Sequence, residues 1–90
     1  MSAIILPATM DKGALPEIAR EMAQLCDKGQ PLLIDGSKVS RIGLAGLQLL
    51  VSGALAANDR SVEFKVTQAS EELAGAATLS GLGAMLGLAA

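Results

Sequence analysis

The residues of this chain that could do chemistry are few, and their types exclude most of it. There is no histidine and a single cysteine, Cys26. A Ser-His-Asp or Cys-His relay therefore lacks its base, and a conventional zinc site lacks its ligands. Asp and Glu are scattered mainly over positions that read as solvent faces. Asp35 is the exception, because it follows the apolar run Leu32-Leu33-Ile34. The carboxyl end of a buried strand is where open α/β sheets place their sites. Asp35-Gly36-Ser37 is also a turn sequence, in which a carboxylate accepts from nearby backbone N–H groups. That structural role is the expected one. Gly43-Leu44-Ala45-Gly46 precedes a helical pattern, and the free N–H groups of a helix start can face an anion. Neither G-x-G-x-x-G nor the Walker spacing is present, however, and Gly36-Ser37-Lys38 does not supply the latter. The glycines are expected to serve packing: Gly43 relieves the strand-to-helix turn, and Gly46 lets the helix approach the sheet. No metal, cofactor or catalytic residue is expected.

What remains is binding. Ninety residues make one domain with one core, and a hydrophobic fraction of 51% lets burial offset chain entropy. Phe64 is the sole aromatic, so Leu, Ile, Val, Met and Ala must build that core. Seven basic and nine acidic residues give a net charge of −2. That balance supplies no basic stripe, and stacking aromatics are missing beyond Phe64, which argues against nucleic acid as a partner. One cysteine cannot close an internal disulfide, and the N-terminus lacks a basic region before a long apolar one. Both features fit a cytoplasmic protein. The uncharged run Leu73 to Ala90 is broken by glycines and barely reaches the length of a span, so docked terminal helices are expected there.

The elements that must position these residues alternate along the chain. Ala3-Ile4-Ile5-Leu6, ended by Pro7, reads as a strand. Leu15, Ile18, Ala19, Met22, Leu25 and Cys26 recur at helical spacing, opposite Glu17, Arg20, Glu21, Gln24 and Asp27. Pro16 suits the first turn and Gly29 the stop, and Cys26 falls on the apolar stripe as a packing residue. Leu32 to Ile34 is a continuous apolar run, typical of a strand covered on both faces. Leu44, Leu47, Gln48, Val51, Ala54 and Leu55 define a second helix that ends near Asn58. Val62, Phe64 and Val66 alternate with Glu63, Lys65 and Thr67, the pattern of a strand with one wet face. Ser70 can cap a third helix, with Glu71 and Glu72 in its first turn, Leu73, Ala76 and Ala77 inside, and Gly81 at its end. Leu82 to Leu88 reads as a last short helix. Strands separated by helices imply parallel crossovers, hence a small α/β fold with a mainly parallel sheet of three strands and packed helices. A dimer could cover what the helices do not.

The central stretch, from Leu33-Ile34-Asp35-Gly36-Ser37 through Ile42-Gly43-Leu44-Ala45-Gly46-Leu47-Gln48 to Leu50, resembles the centre of a STAS domain, the family of sulfate transporters and anti-sigma factor antagonists. The family pattern is an apolar strand ending in Asp, a Ser two residues on, then Ile-Asp-Ser-Ser-Gly-Leu opening a helix. Asp35, Ser37, Ile42, Gly46 and Leu47 fit it. The helix start at Ser70 to Leu73 and the ending Leu79-Ser80-Gly81-Leu82 resemble the family's last third. The usual N-terminal hairpin is shortened here to one strand.

That resemblance implies a protein-binding module whose contact loop is Ser40, Arg41, Gly43, Leu44, Ala45, Gly46 and Leu47, with Asp35 and Ser37 supporting it. In switchable members a hydroxyl of this loop is phosphorylated and binding is lost. Here the aspartate position is Gly43, and Leu44 and Ala45 carry no oxygen to accept a phosphoryl group. Ser37, Ser40 and Ser52 lie nearby without occupying that place. The loop instead offers an apolar patch beside Ser40 and Arg41. If a partner covers Leu44, its burial contributes roughly 1.5–3 kcal/mol. Its spacing to Leu47 and Val51 favours an inward placement, which would shrink the patch. The expectation is a non-enzymatic, cytoplasmic adaptor of bacterial signal transduction, chemosensory or anti-sigma antagonist-like. Its partner would be a signalling kinase or an anti-sigma-like protein. Two alternatives stand beside it: an accessory subunit docked on the ATPase of a lipid or other ABC transporter, and a nucleotide- or lipid-binding sensory domain.

Overall fold

The apolar run at Leu32 makes the central strand, and the other elements are arranged around it. The computed structural model describes residues 3–87. In chain order the elements are β1 (Ile4–Ile5), β2 (Thr9–Met10), α1 (Leu15–Asp27), β3 (Leu32–Gly36), β4 (Arg41–Ile42), α2 (Leu44–Asp59), β5 (Phe64–Ala69) and α3 (Glu71–Leu79). β1, β3 and β5 form a parallel sheet with β3 in the middle. The α/β class and the parallel crossovers are those expected from the pattern.

Among the described residues the strands number five rather than three, because the pairing of the N-terminal segment with the central one breaks and resumes. After β1, the Leu6 N–H still donates to the Asp35 carbonyl at 2.9 Å. Pro7 has no N–H to continue the ladder. Past it, the Ala8 carbonyl accepts from the N–H groups of Ser40 and Arg41 at 2.8 and 3.0 Å. β2 then pairs with β4 in parallel, Thr9 with Arg41 and Met10 with Ile42. This second short ladder was not foreseen, and it carries one wall of the site described below.

β3 also runs further than expected. Asp35 and Gly36 are strand residues paired with Gln68 and Ala69, beyond a bulge between Ile34 and Asp35. Gly36 is required there by close approach: a Cβ would collide with Leu73 Cδ2 and lie 3.1 Å from the Gln68 carbonyl. Nor is β3 covered equally on both faces. Leu32 and Ile34 are fully buried, whereas Leu33 is only half-buried and Ile5 is 57% exposed. Phe64 and Val66 of β5 are half-buried between exposed Lys65 and Thr67, as alternation implies, and Val62 precedes the strand.

α1 buries Ile18, Met22 and Cys26, which recur at the spacing of one helix face. It closes at Gly29, whose φ of +69° lets its N–H reach the Cys26 carbonyl while Gln30 reaches Leu25. α2 required a correction. Its buried residues are Gly46, Leu47, Leu50, Gly53 and Ala57, while Leu55 is 52% exposed and Gln48 is also exposed. The helix is apolar almost all round, so hydrophobic spacing could not select its inner face. Small residues select it instead, since a Cβ on Gly53 would lie 2.6 Å from Met22 Sδ of α1.

Ser70 caps α3, its hydroxyl oxygen accepting from the Leu73 N–H at 3.1 Å. Leu73 and Ala77 face the core, and Gly81 closes the helix at a φ of +74°. The segment after it is a set of hydrogen-bonded turns up to Gly87 rather than a helix. Its Leu86 donates to the Leu82 carbonyl and is 2% exposed, so the segment does contribute to the core. Leu88 lies outside the described residues. Among the described residues, no helix is long and apolar enough to cross a membrane.

Candidate protein-binding site

The N-terminus of α2 opens on a cleft because the short β2–β4 ladder holds two loops beside it. One is the segment after β2, with Asp11 and Lys12; the other is the passage from Arg41 into α2. Ser40 fastens the second loop, its hydroxyl donating to the Ala8 carbonyl at 3.0 Å. Asp11 fastens the first, where Oδ1 accepts from the Gly13 and Ala14 N–H groups at 3.1 and 3.2 Å. Gly46 sets how closely α2 approaches β4. A Cβ there would stand 2.8 Å from Ile42 Cγ1.

The cleft encloses about 620 Å³ between Thr9, Met10, Leu15 and Ile42 on one side and Gly43, Leu44, Ala45 and Gly46 on the other. Lys12 and Arg41 stand at its edges, both exposed. Leu44 is 60% exposed. The inward placement that its spacing favoured is therefore corrected: Leu44 is the first residue of α2, where there is no preceding turn to pack against, and its neighbour Leu47 takes the core position at 2% exposure. Gly43 is corrected as well. Its φ of −98° is open to any residue and a Cβ would meet nothing within 4 Å, so the turn into α2 does not need glycine.

Of the residues singled out by sequence, Arg41, Gly43, Leu44, Ala45 and Gly46 line the cleft together. Ser40 serves the loop's backbone, and Leu47 lies beneath the surface. Asp35 and Ser37 do not line it. They close the turn between β3 and β4, where Asp35 Oδ1 accepts from the Ser37 N–H at 2.9 Å. Hydrogen bonds from the Ser37 hydroxyl and N–H hold the Asp35 carboxyl below its ordinary pKa, with a smaller contribution from Lys38. Sequence reasoning missed Thr9, Met10, Lys12 and Leu15. Thr9 and Met10 form a strand too short to show alternation, Lys12 lies in the loop after it, and Leu15 read only as part of the α1 stripe; the hint was that Pro7 had to interrupt the first strand.

No polar side chain is buried among the described residues, and no group of three or more potential metal ligands occurs among them. The start of α2 has no side-chain cap and no acidic residue in its first turn. Its first N–H groups therefore point outward without an intrahelical acceptor. A second concavity, of about 200 Å³, separates α1 from α2 and is lined by Met22, Cys26, Leu49 and Gly53 among others, with Ser52 as its hydroxyl. It is a seam left by the small residues of the helix contact.

Searches of curated proteins and of solved structures return no significant match. A family model described as Mlab, STAS domain, matches residues 4–87. That span contains every described element, from β1 through the turns that follow α3, with the uncapped helix start at its centre. The chain belongs to the STAS domain family.

Proposed function

We propose that this chain is a non-catalytic adaptor of bacterial signal transduction in the cytoplasm, which binds a protein partner through the cleft at the start of α2. STAS domains generally mediate protein–protein contacts. The observation that carries the assignment of this surface is Leu44, 60% exposed beside Arg41 at the mouth of the cleft. A leucine held there by a well-packed helix gains from being covered by a partner, which would also cover Met10, Leu15 and Ile42 of the same cleft. With Gly43, Leu44 and Ala45 in the loop, recognition does not depend on a phosphorylatable hydroxyl, so the surface is permanently competent. A permanently competent surface also suits a constitutive subunit, and the second reading is accordingly an accessory STAS subunit on the ATPase of a lipid or other ABC transporter.

Affinity capture from the source cell with two variants tests the surface. Leu44→Asp should lose the wild-type partner, and Leu55→Asp, also at an exposed leucine of α2, should retain it. Both should melt close to wild type, because neither side chain belongs to the core. Retention of the partner by Leu44→Asp would move the binding surface elsewhere. The identity of the captured protein, signalling kinase or transporter ATPase, decides between the two readings.

A further inference from the structure

The cleft has a local charge opposite to that of the chain. Net charge is −2 overall, yet the charged side chains at the cleft are Lys12, Arg41 and Asp11. The Asp11 carboxylate is engaged by the Gly13 and Ala14 N–H groups. Among the described residues the ion pairs are Arg20–Glu17 and Arg60–Asp27, so neither Lys12 nor Arg41 has an acidic partner among those residues. Lys12 comes from the loop after β2 and Arg41 from β4, and both line the cleft together with Met10, Leu15, Ile42 and Leu44. No acidic side chain of α2 offsets them in its first turn.

Resting on the reading of this cleft as the docking surface, we infer that the partner presents an acidic amphipathic segment. Its apolar side chains cover Leu44 and Leu15, and its carboxylates reach Lys12 and Arg41. Charge complementarity of this kind fixes orientation and rejects basic competitors more than it adds affinity. Two cations over apolar walls, with no aromatic side chain among them, are a poor match for nucleic acid. They match a protein segment that alternates leucine-like and acidic residues.

The test uses the full chain, labelled with nitrogen-15, and two synthetic peptides of about 15 residues with the same leucine positions. One carries glutamates elsewhere and the other carries lysines. The glutamate peptide should bind at least about ten-fold more tightly, shift the amides of Lys12, Arg41, Leu44 and Gly46, and weaken as salt rises from about 50 to about 300 mM. Lys12→Glu with Arg41→Glu should erase that preference without moving the melting midpoint. Equal binding of both peptides at these amides would overturn the acidic assignment while leaving the cleft as the docking surface. Shifts confined to another face, or no binding at about 1 mM peptide, would overturn it too. So would phosphatidylglycerol vesicles perturbing these amides when the peptide does not. Failure of the docking surface itself is read separately, by partner capture that survives Leu44→Asp.

Discussion

The two ends of α2 are built in opposite ways. Its C-terminus is closed: Ser61 and Val62 donate to the carbonyls of Asn58 and Ala57 at 3.1 and 2.8 Å, and Arg60 reaches Asp27 of α1 at 2.6 Å. Its N-terminus is open, with no side-chain cap, an exposed leucine as its first residue, and Lys12 and Arg41 nearby, neither of them in an ion pair among the described residues. α3 shows that the chain can close a helix start, since Ser70 caps it and two glutamates follow. α1 also starts without a side-chain cap, so what sets the start of α2 apart is the exposed Leu44 on the cleft rather than the missing cap alone. In the proposed reading, the middle and the C-terminal end of the helix carry stability, and its beginning carries recognition.

Substitutions along α2 should reproduce that division. Leu50 is fully buried, and Leu50→Ala should cost about 2–5 kcal/mol of stability, read by denaturant unfolding. Leu44→Asp should change stability by no more than about 0.5 kcal/mol. A comparable loss from both would dissolve the distinction between the two regions. At the closed end, Ser61 holds a φ of +56°, which costs a residue with a Cβ more than it costs glycine. Ser61→Gly should therefore stabilise the protein by up to about 1 kcal/mol; a destabilisation would mean that the Ser61 side chain is needed there. The Arg60–Asp27 pair is more than half exposed on both sides, so Arg60→Ala should cost only about 0.2–1 kcal/mol, and less at high salt.

The smallest effect belongs to Asp35, beside neither end. Its folded-state pKa is lowered, so its carboxylate favours the fold at pH values above its unfolded pKa. That contribution declines once pH falls below the ordinary value of 3.8 and is gone below the lowered one. Wild type should melt slightly above Asp35→Asn at neutral pH, and the gap should close in acid. A gap that widens in acid would reverse the sign assigned to the Ser37 hydrogen bonds.

The same two regions separate what the sequence disclosed from what it hid. α1 is amphipathic and ends on a glycine, and α3 has both its cap and its terminal glycine, so their faces and limits could be read from residue types. α2 offers neither signal. It is apolar around most of its circumference, and its end falls on Ser61 rather than glycine, so the expected face included Leu44 and Leu55 where the structure buries Gly46, Leu50 and Gly53. The cleft was half legible. Arg41 to Gly46 were marked by the family-like order of residues, whereas the opposite wall depends on pairing between Thr9–Met10 and Arg41–Ile42. Two-residue strands leave no periodic trace, and contacts between distant segments are not encoded in local spacing.

Hydrogen exchange of the chain with and without its captured partner tests the central claim most directly. The amides of Gly43 to Leu47 should exchange more slowly in the complex, while those of Arg60 to Val62 should be unchanged. Protection confined to the closed end, with the start of α2 exchanging as in the free protein, would contradict the account.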